Sequence, residues 1–396
     1  MQKLSVLFIM NGIGSIDGLS GISGGDIRWI EIAKWWSKQG YEIHVISPEA
    51  GITLCKKFGL KAIFHEFIIP NDYSLKSHLL RFFKSRSIPK FASDFEGVIY
   101  STTENAYDVF PALKVKEKGK KVTWVVIVHW VAPLRRKGTN LFNSFLFFLN
   151  QRIGFHYIRN KADIVLAVSE NTADQAKKIG LKNVFAVTAG VDFERIRKIA
   201  VKSAALMSAD KYDAIFMKRL SGTKGVFDII DIWNDVVKCK KNAKLGMIGL
   251  GSKDTMTKLV GMVENYGLKN NVDFLGPIYN FERKFSILSA SSLFVLPSYE
   301  ENWAIVIGEA LAAGVPVLCY DLPEIRPIWK DTIEWVPKGD KKKFAIKIID
   351  LLNHDQRRSE LSRCGILFIK KHDWRTIAEK EMKLIMCLPK PQNHSK

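Results

Sequence analysis

The sequence has few cysteines and no long apolar run. Its five cysteines in 396 residues are scattered, with neither a Cys-x-x-Cys pair nor a Cys/His ligand spacing, so neither a disulfide framework nor a zinc site is indicated. No apolar stretch reaches the roughly 18 residues that a membrane span needs. Polar Asn11 and several glycines follow the apolar run at residues 4–10, where a signal peptide would continue. That run is therefore predicted to be a first β-strand, and a reducing cytosol fits the chain best.

Acidic residues are also few relative to basic ones. Forty Asp and Glu stand against sixty Lys and Arg, which gives a formal net charge of +20. This excess predicts attraction to a polyanion, a class that includes nucleic acid, an anionic bilayer and phosphorylated substrates. The sequence contains no recognition-helix motif, no RNA-binding aromatic motif and no zinc spacing, so nucleic-acid binding would rest on charge alone. We therefore expect no nucleic acid among the partners.

Apolar runs alternate with helical patterns in both halves of the chain, which is long enough for two domains of roughly 150–200 residues. Strands are predicted in the first half at residues 4–10, 41–47, 97–101, 121–129 and 164–169. They are predicted in the second half at residues 214–217, 244–248, 272–275, 293–296 and 315–319. This alternation indicates an α/β fold with doubly wound parallel sheets. We expect an N-terminal domain at 1–190, a C-terminal domain at 191–370, and a terminal helix with a tail at 371–396.

The most informative segment runs from Pro297 to Val317. It is typical of a strand that ends at Pro297, a loop with acidic residues, a helix that begins near Asn302 and a glycine stop before the next strand. Ligands bind at the carboxyl ends of strands in such sheets. Glu301 should lie beside the helix amino terminus, whose N–H groups favour a diphosphate, and Glu309 two turns further along. One acid can meet sugar hydroxyls and the other ribose hydroxyls.

This segment, P-S-x-x-E followed by E-A-x-x-x-G-x-P-V, closely resembles the retaining glycosyltransferases of the GT-B fold, specifically glycosyltransferase family 4. The resemblance implies two facing Rossmann-like domains, with a C-terminal helix that crosses back to the first. It also implies an acceptor site on the first domain and a nucleotide-sugar donor on the second. Where the family has Gly-aromatic-Gly, this chain has Asn302, Trp303 and Ala304. Their backbone N–H groups can still contact the donor, but their side chains shrink the space near the donor sugar.

A second motif, Lys218–Gly225, follows a predicted strand and precedes a helix. Its cations Arg219 and Lys224 can bracket a diphosphate and stabilise the negative charge that develops on a leaving nucleotide. The motif resembles the G-R-x-x-x-x-K-G element of the family, with Lys218 where glycine is common. Because these two cations can stabilise the negative charge of the leaving nucleotide, no metal and no other cofactor are expected. The sequence also has no Asp-x-Asp motif, which metal-dependent transferases of the other major fold employ.

Weaker matches extend the resemblance to the nucleotide. Gly249 and Gly251 resemble the glycine turn under the nucleotide, and Phe274 lies in a segment that resembles the edge that meets the base. Gly24 and Gly25, at a helix start, resemble the glycine loop near the donor phosphates. Each of these segments is also compatible with an ordinary turn or strand.

His129 ends the apolar run of the predicted strand at 121–129. A histidine alone at such a position is compatible with a purely structural role. The family commonly places a histidine here, close to the transferred sugar, where it can hydrogen-bond a hydroxyl or help to position the acceptor. The resemblance therefore adds His129 to Arg219, Lys224 and Glu301 as the residues expected to carry catalysis.

The segment from Thr139 to Asn160 is strongly apolar and rich in phenylalanine, and Arg135, Arg136 and Arg152 are among the cations that flank it. A basic amphipathic helix that lies on a membrane has this composition, and so does a helix buried against the first sheet. The many lysines of the first domain suit an anionic membrane surface that carries a glycan or lipid-linked acceptor. The expected location is cytoplasmic, with peripheral binding to the cytoplasmic face of the membrane as an open alternative.

Two alternatives remain open at this point. An epimerase or phosphorylase of the same fold would share the architecture but not the spacing of Glu301 and Glu309, which therefore favours the transferase over it. The other alternative is a catalytically inactive partner subunit, which would bind no donor.

Overall fold

The computed structural model describes residues 4–12, 23–69, 75–86, 92, 94–118, 121–134, 141–206 and 212–387. The chain divides into two compact units. Unit 1 comprises Met1–Ala189 together with Trp374–Lys396, and unit 2 comprises Gly190–Asp373. Each unit is built around its own parallel β-sheet, which confirms the α/β prediction of two Rossmann-like domains.

Unit 1 alternates strands and helices from its first strand onward. Its strands are β1 Ser5–Ile9, β2 Glu42–Ser47, β3 Ile63–Glu66, β4 Gly97–Ser101, β5 Val122–Val128, β6 Ile164–Ala167 and β7 Val184–Ala186. Its helices are α1 Gly24–Lys38, α2 Glu49–Lys57, α3 Leu75–Lys84, α4 Ala106–Lys118, α5 Leu141–Lys161, α6 Glu170–Lys178 and α15 Trp374–Cys387. The seven strands lie in the order β3-β2-β1-β4-β5-β6-β7. The strand order reverses between β1 and β4, and ligands bind at such a point in open α/β sheets.

Unit 2 repeats the alternation with a smaller sheet. Its strands are β8 Ala214–Met217, β9 Leu245–Ile248, β10 Val272–Gly276, β11 Leu293–Leu296, β12 Val317–Tyr320 and β13 Glu334–Val336. Its helices are α7 Phe193–Leu206, α8 Val226–Cys239, α9 Lys253–Asn265, α10 Phe281–Ser289, α11 Ile305–Ala313, α12 Arg326–Trp329, α13 Lys341–Asn353 and α14 Asp355–Ile369. The six strands lie in the order β10-β9-β8-β11-β12-β13, so the order reverses between β8 and β11.

The central strands are fully buried because helices cover both faces of each sheet. Every residue of β6, β8, β9, β11 and β12 is buried, which is typical of parallel sheets. In unit 1 an aromatic group of Phe8, Trp29, Trp36 and Tyr100 packs between β1, β4 and α1, with ring centroids 4.9–6.0 Å apart. These cores hold the carboxyl ends of the strands in place, where the predicted site residues lie.

The C-terminal helix α15 packs on α1 in unit 1 through a buried ion pair. Arg28 on α1 pairs with Glu381 on α15, and both side chains are almost completely buried. The Tyr100 hydroxyl donates a 3.1 Å hydrogen bond to Glu381, and the Arg28 guanidinium donates one of 2.9 Å to the carbonyl of Val187. Arg28 therefore ties α15 to the last residues of unit 1 before the chain enters unit 2.

Helix α5 is buried in its second half and exposes apolar side chains in its first half. Its second half is packed in the core through Phe155 and Ile158. Its first half exposes apolar side chains, with Leu141 62%, Phe142 55% and Phe145 49% exposed. Arg135, Arg136 and the rest of the preceding basic segment lie outside the described residues. Within the described ranges, no helix has the length and apolar character needed to cross a membrane.

Candidate active site

Two loops of unit 2 meet at the carboxyl edge of its sheet, on either side of the point where the strand order reverses. The first loop follows β8 and holds Lys218, Arg219 and a short 3-10 turn at Gly222–Lys224. The second follows β11 and holds the segment from Pro297 to Ala304. The edge of the sheet therefore brings together the two motifs that the sequence singled out.

Gly225 joins the two loops by a close approach of their backbones. A Cβ at this position would lie 1.8 Å from the carbonyl oxygen of Pro297, and the φ of Gly225 is +74°. Only glycine fits such a contact and such a dihedral angle. The backbone N–H of Tyr299 donates a 2.9 Å hydrogen bond to the carbonyl of Thr223. The turn that carries Lys224 is therefore fixed against the loop that carries Glu301.

Glu301 is the centre of this cluster and is only 8% exposed. Lys218 Nζ lies 2.9 Å from its Oε2, and Lys224 Nζ lies 3.2 Å from its Oε1. Ser298 also donates a 2.9 Å hydrogen bond to Oε1. Burial raises the pKa of Glu301, but the charges of Lys218 and Lys224 and the hydrogen bonds from Lys218 and Ser298 together lower it by more, so the net shift is downward. The carboxylate is therefore ionised at neutral pH.

The two predicted phosphate-binding cations differ in their surroundings. Lys224 is half-buried, and the partial burial of its ammonium together with the charge of Lys218 lowers its pKa despite the nearby Glu301. Arg219 is exposed, and across the described residues its side chain has no hydrogen bond or ion pair. The structure therefore brings Lys224 to Glu301, while Arg219 remains available to a ligand at the same loop.

The segment Asn302-Trp303-Ala304 follows Glu301 directly. The Trp303 ring is buried and packs 4.7 Å from the Trp329 ring, centroid to centroid, so it points into the core. Ala304 has a φ of +59°, in the left-handed region that glycine prefers, and α11 begins after it at Ile305. This turn explains why the helix starts three residues later than the Asn302 that the sequence indicated. Asn302 exposes its side chain to solvent. Because Trp303 points into the core and Ala304 has only a methyl group, these two positions can offer a ligand little beyond their backbone.

Glu309 lies on α11 and has a different partner from Glu301. Lys284 Nζ, on α10, lies 2.9 Å from its Oε1. The Lys284 ammonium also lies 4.3 Å from the centre of the Phe285 ring. A ligand hydroxyl that reaches Glu309 would therefore meet a carboxylate whose charge Lys284 already compensates.

The glycine turn after β9 runs beside Lys218 and Arg219. A Cβ on Gly249 would lie 1.9 Å from the carbonyl oxygen of Lys218, and Gly251 forms a parallel bridge with Leu220. These glycines allow the two loops to approach closely. Phe274 lies half-buried on β10, at the edge of the sheet, and pairs in register with Met247. The structure thus brings Gly249 and Gly251 to the cation loop and leaves Phe274 two strands away from β8.

Gly24, Gly25 and His129 lie together in unit 1, at the carboxyl ends of β1 and β5. Helix α1 begins at Gly24, where Ser23 and Asp26 cap each other's backbone N–H groups. A Cβ on Gly25 would lie 2.7 Å from Cε1 of His129, so the ring packs directly on this glycine. Removal of the ring from water lowers the pKa of His129 to about 4. Its Nε2 lies 3.0 Å from the carbonyl oxygen of Thr102, so Nε2 donates and Nδ1 is left as an acceptor.

Two residues near these sites, Lys218 and Glu104, were not among the predicted ones. Lys218 was noted only as a departure from glycine. Glu104 is buried after β4, where it accepts a 3.1 Å hydrogen bond from the backbone N–H of His129 and a 2.7 Å bond from Gln151 on α5. Burial raises the pKa of Glu104 to about 7. The polar residues that follow β4 could have indicated Glu104, since polar side chains at the carboxyl ends of strands are candidate ligand-binding residues in this fold.

Within the described part of the chain, no group of three or more His, Cys, Asp or Glu side chains is arranged to hold a metal ion. The two loops at the edge of unit 2 instead carry three cations, Lys218, Arg219 and Lys224, and two carboxylates, Glu300 and Glu301. An arrangement of this kind can bind a diphosphate and orient hydroxyl groups.

Comparisons with known proteins find glycosyltransferases among the similar sequences. Phosphatidyl-myo-inositol mannosyltransferase of Mycobacterium leprae is 27% identical over 164 residues, which cover 41% of this chain and 42% of that protein. The chain spans about half the length of several curated relatives that it matches, this one included. N-acetyl-alpha-D-glucosaminyl L-malate synthase of Bacillus anthracis is 22% identical over 353 residues, or 85% of this chain and 86% of that protein.

Solved structures share the fold over nearly the whole chain. The crystal structure of Anabaena HepE in complex with UDP and glucose has a TM-score of 0.75 and 17% sequence identity, and it covers 97% of this chain and 100% of its own. Two family models match consecutive segments. The model described as Glycosyltransferase Family 4 matches residues 22–195, and the one described as Glycosyl transferases group 1 matches residues 198–368. Each half of the chain therefore matches a glycosyltransferase family model, and the chain as a whole shares the GT-B fold with the HepE structure.

Proposed function

We propose that this protein is a retaining glycosyltransferase that moves a sugar from a nucleotide-diphosphate sugar to a hydroxyl acceptor. The observation that carries the proposal is the cluster of Lys224, Lys218 and Glu301, with the unpaired Arg219 beside it, where the strand order of unit 2 reverses. Two of the relatives support the choice of substrate, since one is named a mannosyltransferase and HepE was crystallised with UDP and glucose.

In the proposed reaction, the bond between the anomeric carbon and the diphosphate oxygen breaks, and a bond from the acceptor oxygen to the same face of that carbon forms. The acceptor proton passes to the departing phosphate oxygen, which balances the reaction. Arg219 and Lys224 stabilise the charge that develops on the leaving nucleotide. Glu301 orients the donor sugar and Glu309 the ribose. No metal is assigned a role, because these two cations supply the compensating charge.

Unit 1 is proposed to bind the acceptor. His129 is neutral near pH 7, since its pKa is about 4, and its Nδ1 can accept a hydrogen bond from an acceptor hydroxyl. Gly25 leaves room for this ring and presents the first turn of α1, whose N–H groups favour an anionic group. Glu104 and Gln151 hold the backbone after β5 in place through the hydrogen bonds described above.

A panel of nucleotide-sugars tests the proposal. A donor at about 100 times its Kd should stabilise the folded protein by about 2.7 kcal/mol, which a rise in Tm would report. Transfer from that donor should give a product whose anomeric configuration matches the donor by NMR, and it should persist in excess chelator. An inverted product would contradict the retaining mechanism. Loss of activity in chelator, restored by manganese or magnesium, would contradict the assignment of charge compensation to Arg219 and Lys224.

We also propose that the acceptor is a glycan or is lipid-linked, and that unit 1 docks on an anionic membrane. The exposed apolar face of α5 consists of Leu141, Phe142, Phe145 and Leu149. Helix α3 exposes Leu79 and Phe83, and the cations Lys84 and Arg86 at its C-terminal end are exposed as well. Exposed phenylalanines next to lysines and arginines gain from shallow insertion and from attraction to anionic headgroups, at roughly 1 kcal/mol for each cation near the surface.

Liposome sedimentation tests the membrane proposal. The wild-type protein should sediment with anionic liposomes at low salt and be released as salt shortens the Debye length to about 8 Å near physiological strength. Phe142→Ser together with Phe145→Ser should weaken sedimentation without unfolding the protein, because both rings are exposed. Phe148 is a poorer probe, since the Arg152 guanidinium lies 4.6 Å from the centre of its ring.

The matched control is Ile346→Ser, which removes an equally exposed apolar side chain from unit 2. It should leave sedimentation unchanged. Equal binding to neutral and anionic liposomes, or binding to neither, would remove the membrane proposal.

A further inference from the structure

Lys218 contacts Glu301 more closely than Lys224 does. Its Nζ lies 2.9 Å from Oε2 and donates a hydrogen bond there, whereas Lys224 Nζ lies 3.2 Å from Oε1. The Lys224 ammonium also donates a hydrogen bond to the carbonyl of Glu300. Lys218 is thus the main ionic partner of Glu301, and Lys224 divides its N–H groups between two acceptors.

The two oxygens of Glu301 are held by different donors. Oε1 receives the Ser298 hydroxyl at 2.9 Å as well as the ammonium of Lys224. Across the described residues, Lys218 is the one side chain that donates to Oε2. Removal of Lys224 would therefore leave Oε1 with a hydrogen bond from Ser298, but removal of Lys218 would leave Oε2 without its donor.

The charges of the cluster do not cancel. Lys218 and Lys224 both lie within 4 Å of the Glu301 carboxylate. With Arg219 and with Glu300, whose charge also acts on Lys224, the cluster holds three cations and two carboxylates. Burial and the charge of Lys218 lower the pKa of Lys224. A diphosphate would supply the missing negative charge.

We propose that Lys218 is a positioning residue that holds the carboxylate of Glu301 and compensates its charge, which leaves Lys224 available to the diphosphate of the donor. The proposal deepens the proposed function and rests on it for the identity of the ligand. It assigns a role to the residue that stands where glycine is common in the family. Lys218 can take this place because Gly249 lets the backbone after β9 lie against its carbonyl oxygen.

Removal of Lys218 should raise the pKa of Glu301, since its charge is the larger of the two that oppose burial. The other groups that face Glu301 are Lys224 from the 3-10 turn, Ser298 and Glu300 from its own loop, and Cys319 from β12. Burial, together with the charge of Glu301, raises the pKa of the Cys319 thiol well above its usual value, so that thiol stays neutral. Lys218→Met should therefore shift the titration of Glu301 to higher pH, and Lys224→Met should shift it by less.

Carbon NMR of protein labelled at the glutamate carboxyl carbons measures these shifts directly. The Glu301 signal is assigned by its loss in Glu301→Gln. Lys218→Arg should restore most of the wild-type titration, since it restores the charge. A purely structural role for Lys218 would instead leave the titration unchanged in a folded variant, and that result would overturn the proposal. Methionine keeps the aliphatic stem of the lysine, and Lys218→Gln provides a second variant if Lys218→Met does not fold.

UDP binding by calorimetry provides the second measurement. Lys224→Met should weaken UDP binding about tenfold or more, because a charge-assisted contact to phosphate is lost. Lys218→Met should weaken it by clearly less. A larger loss in Lys218→Met would make Lys218 a phosphate ligand and overturn the proposal. Failure of the wild-type protein to bind UDP or any other nucleoside diphosphate would count against the proposed function, while the NMR titration would still decide the role of Lys218.

Discussion

Replacement of Lys224 by alanine should lower kcat about a hundredfold or more while the protein remains folded, and Arg219→Ala should do the same. Each cation stabilises charge that appears on the diphosphate only as the sugar leaves. Such an interaction is worth on the order of 3 kcal/mol of transition-state stabilisation. Lys224 is also half-buried beside Glu301, which strengthens its field relative to a lysine fully in water. Steady-state kinetics with the donor found in the nucleotide-sugar panel would measure the effect.

Lys269→Ala is the matched control for this measurement. Its ammonium pairs with Glu264 on the surface of unit 2, and its side chain is 70% exposed. It should keep the wild-type kcat and KM. Wild-type turnover in a folded Lys224→Ala variant would show that the leaving group is stabilised elsewhere.

Replacement of Arg28 by methionine should lower the free energy of unfolding by about 3–5 kcal/mol. The variant leaves Glu381 buried with only the hydrogen bond from Tyr100, and an uncompensated buried carboxylate is costly. It also removes the hydrogen bond to the carbonyl of Val187. Urea unfolding followed by tryptophan fluorescence would report the loss, since Trp29 and Trp36 lie in the same core.

The double variant Arg28→Met with Glu381→Leu should recover part of this loss, because replacement of both partners by apolar side chains leaves no buried charge. Glu117→Ala, which breaks the exposed ion pair with Lys114, should change stability by less than about 1 kcal/mol. A similar small change in Arg28→Met would mean that Glu381 takes up a proton, or that water reaches it, when its partner is lost.

The central strands of both sheets could be predicted from the sequence because they are continuous apolar runs. The missed strands are β3, β7 and β13, which lie at the edges of the sheets. They are three or four residues long and mostly half-exposed, so neither an apolar run nor a clean alternation marks them. Their pairing depends on a neighbouring strand that is distant in sequence, which local patterns do not contain.

The two motifs of the candidate site could each be predicted because the spacing of residues within each motif is local. Lys224 and Glu301 lie 77 positions apart in the sequence, and the order of the two motifs together with the family resemblance was enough to predict that both serve one ligand. The role of Lys218 was not predictable, because it depends on the side-chain contact with Glu301. The inward orientation of the Trp303 side chain was not predictable either, because it depends on packing against Trp329, which lies elsewhere in the sequence.

The division of unit 1 into two segments has a consequence for synthesis of the chain. Arg28 is made early, but Glu381 and the rest of α15 follow only after all of unit 2. At about 5–20 residues per second, synthesis of the chain between α1 and α15 takes on the order of tens of seconds. During that time the face of α1 that carries Arg28 and Trp36 has no α15 to cover it. Unit 2 can therefore complete its core on the ribosome before unit 1 does, and addition of α15 is the step that finishes the first domain.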